Sequence, residues 1–362
     1  MAKTILKSAI LGLNEEGLEL LEAIGRVGQA GGFEIVAVAD SQVKLAEEVA
    51  ERYDCAFFDD YRQLVVQNQL DVLFVAEPLH VCDEHIVAAM KKHFHIVKLG
   101  PPALDFEQAA ELNRQASKQK VRLITVNCSR FLPTFKLLLE YVQSEGVDNF
   151  HLITAVCNLP KRPESDDERW LNDPQLAGGG VLLRNAYEII DQIVQNFGIP
   201  QQVYSLNTNL APDKQQRLSI TEDTAIAIMK FSDTLICNLS ASRIIGPPYC
   251  GLRLYSKDKY LTVTETDFTV FDSSGQIIQQ SNHPTSKADA MVAMLENFAL
   301  TLQSDAQKAV FIDENADLNN IAVIESAYLS AKTSMPEGPA RILEMVNAEP
   351  IRAWSSAAKR IV

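Results

Sequence analysis

Short apolar runs alternate with amphipathic stretches over the first 127 residues of the chain. Strands are predicted in TILKSAILG, FEIVAVAD, DVLFVAE, HIVKL and VRLITV, with helices over 15–29, 41–53, 80–92 and 105–118. Strands that are apolar throughout and separated by helices indicate a parallel sheet covered on both faces. With right-handed crossovers, this pattern predicts a doubly wound α/β domain of the nucleotide-binding type over residues 1–126.

After Asn127 the pattern changes, and strands follow one another without helices between them. A helix near 133–145, a strand near 149–157, a polar loop and a helix over 181–197 come first. Further strands are predicted in SITEDTAIAIMKF, TLICNLSASR, CGLRLYS, YLTVTET and FTVFD, and helices near 287–303 and 314–333. Turn residues between the strands favour antiparallel hairpins. We therefore expect an α+β domain with a large, mostly antiparallel open sheet over 127–345, and a C-terminal tail over 346–362.

Charge and cysteine usage restrict the partners of the protein. The formal net charge is −14, which disfavours nucleic acid and anionic lipid, and no apolar run reaches the roughly 18 residues of a membrane span. The six cysteines are scattered without a C-x-x-C pair, so we expect a reducing, cytoplasmic location. His80, Cys82, His85 and the His93-x-His95 pair could suggest a metal site, but the helix separates their directions, so no metal site is expected.

The loop after the first strand reads Gly12-Leu13-Asn14-Glu15-Glu16-Gly17, where dinucleotide-binding loops read G-x-G-x-x-G. Asn14 replaces the glycine that lets the backbone approach the pyrophosphate. Glu15 and Glu16 stand at the helix N-terminus, where backbone amides would hold the phosphates. These two acids are alternatively ordinary helix-start residues that point to solvent. Weak binding and absent binding of a dinucleotide are both open.

Asp40 ends the second predicted strand, 23 residues beyond Gly17. A carboxylate at this position would accept hydrogen bonds from the adenosine ribose and repel a 2′-phosphate, which favours NAD(H) over NADP. Asp40 could instead cap the following helix, and the two roles are compatible.

Further markers follow in a fixed order along nearly the whole chain. They are Ala76-Glu77-Pro78, Pro101, Ala103-Leu104, Asn127, Arg130-Phe131, Pro133, Trp170, Asp173-Pro174, the run Ala177-Gly178-Gly179-Gly180, Phe298, Asp313, Ala316-Asp317, Glu325-Ser326-Ala327 and Ser330-Ala331. Together with Gly12, Gly17 and Asp40, their order resembles the Gfo/Idh/MocA oxidoreductases.

This resemblance implies an NAD(P)-binding Rossmann domain followed by the open-sheet domain. It implies hydride transfer between NAD(P) and a sugar or polyol, a small polar molecule in the inter-domain cleft, and a homodimer or homotetramer formed through the open sheet. The cofactor contacts carried over by position are Gly12, Asn14, Gly17, Asp40, Glu77, Pro78, Pro101 and Arg130.

The positions that carry catalysis in that family are changed here. The lysine of the family's E-K-P triplet is Gly100, which cannot donate a proton. The Asp and His of the family's G-G-G-x-L-x-D-x-G-x-H motif are Arg184 and Glu188. In the T-P-N-x-x-H motif, Leu79 and Cys82 occupy the Asn and His positions. The catalytic residues are therefore unknown.

Four side chains remain as candidates. Lys98 lies two residues before Gly100 on the same side of the strand, but about 6.6 Å farther along, and we expect it not to replace the missing lysine. Arg184 and Glu188 are four residues apart and could pair, which would make them a poor acid and base; Arg184 could instead bind a polar or anionic ligand. Tyr187 is a candidate acid or a core tyrosine.

Two hypotheses follow from these departures. The first is an NAD(P)-dependent oxidoreductase of the Gfo/Idh/MocA type with a degenerate active site and an unknown substrate. The alternative is a catalytically silent family member that acts as a ligand-binding or interaction protein.

Overall fold

A six-stranded parallel sheet forms the first part of the structure. The computed structural model describes residues 5–28, 32–160, 170–210, 220–303 and 315–352. The strands are β1 (Leu6–Leu11), β2 (Phe33–Ala39), β3 (Ala56–Phe58), β4 (Val72–Val75), β5 (His95–Lys98) and β6 (Leu123–Thr125). Their order is β3-β2-β1-β4-β5-β6, which confirms the predicted doubly wound fold. The order reverses between β1 and β4, so a ligand crevice is expected at the carboxyl ends of these strands.

Helices follow the strands of this sheet as the alternating pattern predicted. They are α1 (Glu15–Gly28), α2 (Val43–Tyr53), α3 (Tyr61–Gln67), α4 (Leu79–Lys91) and α5 (Phe106–Gln119). The sequence did not predict β3 and α3, because three largely exposed residues and a seven-residue helix are too short to show an apolar period. A local signal does exist, since the Asp60 carboxylate accepts a hydrogen bond from the Arg62 amide and caps α3.

An eight-stranded sheet forms the second part, and it is mostly antiparallel, as predicted. Its strands are β7 (Phe150–Asn158), β8 (Gln202–Thr208), β9 (Thr224–Lys230), β10 (Ile236–Ser242), β11 (Tyr249–Ser256), β12 (Lys259–Thr264), β13 (Asp267–Asp272) and β14 (Ile277–Asn282). The order is β14-β13-β12-β11-β7-β10-β9-β8, with β7 and β10 parallel and the other neighbours antiparallel. The strands at the two edges, β8 and β14, were not predicted. β14 is exposed along nearly all its length and lacks the alternation that burial of one face imposes.

Further helices pack around this sheet and return to the first domain. They are α6 (Pro133–Glu145), α7 (Pro174–Ala177), α8 (Val181–Arg184), α9 (Tyr187–Phe197), α10 (Lys287–Gln303), α11 (Ala316–Thr333) and α12 (Pro339–Glu344). α10 lies against α1, and Phe298 stacks on Phe33 of β2 with ring centroids 6.2 Å apart. No helix within the described ranges has the length and hydropathy required to cross a membrane.

The helix predicted over 181–197 is broken, and that prediction is wrong at residues 185–186. The Ala186 amide bonds to the carbonyl oxygen of Val181, five residues back, at 2.9 Å. The Asn185 carbonyl accepts a hydrogen bond from Cys157 Sγ of β7 at 3.2 Å. Because the Asn185 carbonyl bonds to Cys157 of the sheet, α8 and α9 are two separate helices. Side chains on α8 and α9 can therefore point in different directions.

The start of the predicted C-terminal tail is bound to the second domain. The Ile351 amide donates to Asn319 Oδ1 at 2.9 Å, and the Ile351 carbonyl accepts from the Ile199 amide at 3.1 Å. The remaining tail residues, 353–362, and the marker Asp313 lie outside the described residues.

Candidate cofactor and substrate site

Two glycines shape the loop between β1 and α1. Gly12 has a φ of 88°, in the left-handed region, and a Cβ there would lie 2.7 Å from Glu77 Cγ. A Cβ on Gly17 would lie 2.4 Å from the Gly12 carbonyl oxygen. These positions therefore require glycine for the turn and for the close approach of helix and strand, as a dinucleotide-binding loop does.

Asn14, at the middle glycine position of this loop, binds its own helix. Its Oδ1 accepts from the Gly17 amide at 2.9 Å, and its Nδ2 donates to the Ala76 carbonyl at the end of β4, at 3.0 Å. The first contact is the one an N-cap side chain makes. The Asn14 side chain thus occupies an amide that helix N-termini otherwise offer to phosphate.

Two carboxylates lie on the other side of the loop. Asp40 is 4% exposed, and its two oxygens accept from the Leu13 amide at 2.7 Å and the Gln42 amide at 2.8 Å. Each oxygen retains a lone pair for a further donor. Burial raises the pKa of Glu77, a shift opposed by a hydrogen bond from Tyr61. The loop is therefore rigid and locally acidic.

The Lys98 ammonium lies beside the position of the missing lysine. Its Nζ donates to the carbonyl oxygens of Leu99 at 2.7 Å and Pro101 at 3.0 Å. It also lies 3.9 Å from where a Cβ on Gly100 would be, so the side chain extends farther forward than the strand spacing suggested. Lys98 is only 2% exposed, and two of its three N–H donors are bound by the backbone. Whether it takes part in catalysis stays a prediction.

Burial lowers the pKa of Lys98 to about 8, and the positive charge of Arg184 adds to this effect. We expect the unfolding free energy of the wild type, relative to Lys98→Met, to rise with pH between about 8 and 10.5. The folded protein disfavours the charged Lys98 amine, and this cost in folding free energy is fully present below pH 8. It is relieved as the pH rises from 8 to the ordinary lysine pKa of 10.5, which applies in the unfolded chain. The slope should approach 1.4 kcal/mol per pH unit, measured by urea unfolding across that range.

Lys98→Arg supplies the control for this measurement. Neither methionine nor arginine titrates between pH 8 and 10.5. The unfolding free energy of the wild type should therefore rise with pH by the same amount whether it is compared with Lys98→Met or with Lys98→Arg. A flat pH dependence against both variants would contradict the depressed Lys98 pKa.

Arg184 joins an aromatic stack between the two domains. Its Cζ lies 4.5 Å from the centroid of the Trp170 ring, and the same ring lies 4.8 Å from the ring of His80 on α4. Nη2 donates to the Ala177 carbonyl at 2.8 Å, whereas the buried Nε has no hydrogen-bond partner. Burial lowers the pKa of Arg184 to about 10. Within the described ranges, the guanidinium is held by a ring and one carbonyl and forms no ion pair with a carboxylate.

Glu188 and Tyr187 point away from Arg184, so the pairing of Arg184 with Glu188 does not occur. Glu188 Oε2 accepts from the Ser129 amide at 3.0 Å, and burial raises the pKa of Glu188. The Tyr187 hydroxyl donates to Asp317 and accepts from Asn320, and burial raises its pKa well above the usual value. The break between α8 and α9 separates these side chains, and Tyr187 has the contacts of a core tyrosine.

Arg130, expected from the resemblance to contact the cofactor, is part of a buried ion pair. Its Nε donates to Asp191 Oδ2 at 2.7 Å, and Asn320 donates to Asp191 Oδ1 at 2.7 Å. The Arg130 and Asp191 side chains are 12% and 2% exposed. The guanidinium thus holds the segment after β6 against α9.

Glu222, which sequence reasoning missed, supports the glycine run that leads to Arg184. Its Oε2 accepts from the Gly180 amide at 2.8 Å, and its Oε1 accepts from the Leu182 amide at 3.0 Å and the Tyr328 hydroxyl at 2.9 Å. Burial raises the pKa of Glu222. A single acid before a strand shows no pattern that would have identified it. These contacts fix α8, and with it the direction of Arg184.

The positively charged groups at the crevice are better suited to bind a ligand and to stabilise negative charge on it than to transfer a proton. The charges of Lys98 and Arg184 are close enough to affect each other, and the charge of Glu16 at the start of α1 acts on both. Glu188 and Tyr187 bind other partners. Among the residues that the structure describes, no cluster of three or more His, Cys, Asp and Glu side chains could hold a metal ion.

Known proteins similar to this chain include several dehydrogenases. D-glucoside 3-dehydrogenase of Escherichia coli is 28% identical over 184 residues, which cover 49% of this chain and 50% of that protein. The chain therefore matches about half the length of that relative. UDP-N-acetylglucosamine 3-dehydrogenase of Acidithiobacillus ferrooxidans is 21% identical over 85% of this chain and 91% of that protein. Levoglucosan dehydrogenase, solved with NADH and levoglucosan, shares the fold: the TM-score is 0.81 at 15% identity, over 92% of this chain and 99% of that one.

Two family descriptions match consecutive parts of the sequence. An oxidoreductase family with an NAD-binding Rossmann fold matches residues 6–127, which contain the parallel sheet. The C-terminal domain of the same family matches residues 135–277, which contain the open sheet. Together they cover more than half of the chain, and the resemblance inferred from the motifs is confirmed: this chain belongs to the GFO/IDH/MocA family of oxidoreductases.

Proposed function

We propose that this chain is an NAD(H)-dependent oxidoreductase that acts on a sugar- or polyol-like molecule between its two domains. The observation that carries the proposal is the loop between β1 and α1, which needs glycine at Gly12 and Gly17 and whose Leu13 amide bonds to Asp40, as is expected of a dinucleotide site. Family membership supports the same reaction class. The bound cofactor would supply the hydride chemistry, and the protein would bind and orient both molecules.

The active site is proposed to be degenerate. Gly100 provides no side chain, and Arg184 stays protonated at neutral pH. Lys98 is held by two carbonyls and contributes positive charge that favours a substrate oxygen as negative charge develops on it. The hydroxyl proton of an alcohol substrate would then pass to water. Turnover is expected to be slow compared with an enzyme that has a positioned general base, which contributes typically 10²–10⁴-fold.

The acids around the loop bear on cofactor choice and affinity. Asp40 lies where the adenosine ribose is expected, and Glu77 is close enough for the two charges to repel each other, so a 2′-phosphate would meet a negatively charged region. Glu15 and Glu16 begin α1. A unit charge 4 Å from a phosphate costs about 1 kcal/mol in water and about 4 kcal/mol at a surface-like dielectric. We propose that NAD(H) binds weakly and that NADP(H) binds more weakly still.

NADH is expected to bind at least about tenfold more tightly than NADPH, which corresponds to about 1.4 kcal/mol. Asp40→Asn should narrow this difference several-fold, because it removes the charge yet keeps an oxygen for the Leu13 amide. Titration of the purified protein, followed by nicotinamide fluorescence, measures both affinities.

Asp148→Asn, at an exposed carboxylate of the second domain, is the matched control and should leave both affinities unchanged. Failure of both cofactors to bind at millimolar concentration would sink the oxidoreductase proposal. The catalytically silent, ligand-binding member would then remain.

We propose a homodimer or homotetramer formed through the outer face of the open sheet. Leu206, Ile226 and Ile228 are 62%, 46% and 48% exposed on β8 and β9, and Leu206 lies directly opposite Ile226 in the strand register. Adjacent exposed apolar side chains of this size are typical of an association surface.

Ile226→Arg combined with Ile228→Arg is expected to convert the assembly to monomers, because two charges would have to be buried between copies. Light scattering coupled to gel filtration measures the mass. Val66→Arg, at an apolar residue 62% exposed on α3, should leave the mass unchanged. A wild-type protein that is already monomeric would refute the proposed interface.

We also propose a reducing, cytoplasmic location. All six cysteines are free thiols, four of them buried. Such usage is typical of proteins from reducing compartments.

A further inference from the structure

We propose that Arg184 binds a carboxylate of the substrate, which makes the substrate a hydroxy acid of the sugar or polyol type. The oxidation of this substrate rests on the proposed function. Oxidation would move a hydride from the hydroxyl-bearing carbon to the oxidised nicotinamide and release the hydroxyl proton to water. The product would be the keto acid.

The guanidinium of Arg184 has more hydrogen-bonding capacity than the protein uses. Of its five N–H donors, one bonds to the Ala177 carbonyl at 2.8 Å, and the buried Nε has no partner. No carboxylate of the described chain forms an ion pair with it. Buried arginines are ordinarily paired, as Arg130 and Arg243 are with Asp191 and Asp223. In the part of the chain that the structure describes, Arg184 differs from these two arginines because it has no carboxylate partner.

The surroundings hold this guanidinium in place. The Arg184 Cζ lies 4.5 Å from the centroid of the Trp170 ring, and this contact restricts the positions that the guanidinium can take. Lys98 places a second cation nearby, and the hydrogen-bond partners of its ammonium among the described residues are the Leu99 and Pro101 carbonyls. Neither cation forms an ion pair with a carboxylate of the described residues, although the more distant charge of Glu16 acts on both. Two such cations are unfavourable in the free protein, and a bound anion would relieve that cost.

A carboxylate fits this site better than a phosphate. The guanidinium fork can bind either group through two parallel hydrogen bonds. A phosphate monoester carries nearly two negative charges, and the protein has a net charge of −14 with Glu15, Glu16 and Glu77 around the crevice. The singly charged carboxylate meets less repulsion.

Tryptophan fluorescence provides the test, because Trp170 contacts Arg184. The chain has two tryptophans, so Trp354→Phe leaves Trp170 as the single emitter. Gluconate and glycerate are titrated against glucitol and glycerol, their uncharged counterparts, and against glucitol 6-phosphate. We expect at least one carboxylate to change Trp170 emission with saturation, at a Kd at least about tenfold lower than that of its alcohol.

Two substitutions at Arg184 separate binding from folding. Arg184→Gln should abolish the preference for carboxylates and raise the melting temperature of the free protein, because a buried unpaired cation is removed. Arg184→Lys keeps the charge without the fork and should bind with intermediate affinity, and it provides the comparison if the Gln variant does not fold. Arg253→Gln is the matched control. The Arg253 Cζ lies 5.9 Å from the centroid of the Tyr260 ring, but the residue is exposed, so its replacement should change neither carboxylate affinity nor melting temperature.

Several results would overturn the inference. They are equal binding of acids and alcohols, no saturable binding of either carboxylate at millimolar concentration, unchanged carboxylate binding in Arg184→Gln, and tighter Arg184-dependent binding of the phosphate. NADH is titrated into the same samples. Carboxylate binding without NADH binding would refute only the proposed function, and NADH binding without a carboxylate preference would refute only this inference.

Discussion

Asp191→Ala is expected to lower the free energy of unfolding by about 3–5 kcal/mol. Asp191 is 2% exposed and accepts hydrogen bonds from Arg130 and Asn320. Its removal would leave the Arg130 guanidinium buried without its counter-ion, and that uncompensated charge is the main cost. Urea denaturation followed by circular dichroism measures the loss.

The control for this substitution is Asp233→Ala, which removes the solvent-exposed partner of Lys230. Exposed pairs contribute little, so the urea midpoint should not change measurably. The double variant Arg130→Met with Asp191→Leu should recover much of the stability, because apolar residues often replace a buried pair without loss. An Asp191→Ala protein as stable as the control would show that the pair is not buried in solution.

Gly178→Ala is expected to lower the free energy of unfolding by at least about 3 kcal/mol. Gly178 has a φ of 76°, which an alanine adopts only with strain. A Cβ there would also lie 2.3 Å from the Leu104 carbonyl oxygen, and backbone cannot move aside as a flexible side chain does. Gly178 of the second domain contacts Leu104 of the first. Because the added Cβ would push the two domains apart at this contact, the affinity for NADH should fall together with the free energy of unfolding.

Gly25→Ala is the matched glycine replacement. Gly25 lies within α1, where a Cβ would be 3.6 Å from Tyr53 Cε1, an ordinary contact. Alanine should stabilise the helix there by roughly 0.5–1 kcal/mol. If both substitutions change the urea midpoint by the same amount, the close packing at Gly178 is refuted.

Much of the fold could be predicted because its signals are local. The buried strands of the first sheet read as continuous apolar runs, and their alternation with helices determines a parallel arrangement. β3 and β14 were missed for a physical reason: short or exposed edge strands bury no face and therefore impose no pattern. The break at Asn185 was missed because its cause, the Cys157 thiol, lies on a distant strand.

The site was less predictable than the fold. The identities of Asn14, Gly100 and Arg184 were visible as departures from a motif, yet what each side chain contacts was not. Lys98 illustrates the difference. Strand spacing placed its Cα too far back, whereas its flexible side chain brings Nζ to 3.9 Å from the Cβ position of residue 100.

The sequence by itself determined most of the strands and helices, the change from a parallel to a mostly antiparallel sheet, and the family, since periodicity and motif spacing are properties of neighbouring residues. Only the tertiary structure decided which polar groups meet. Ser129 binds Glu188 and Arg130 binds Asp191 across 59 and 61 residues, and Glu222 holds Gly180 across 42. Such partners are chosen by packing, because a buried charge or amide must find whatever complementary group the fold brings to it. Among the described residues, Arg184 has the Ala177 carbonyl and the Trp170 ring as neighbours but no carboxylate partner.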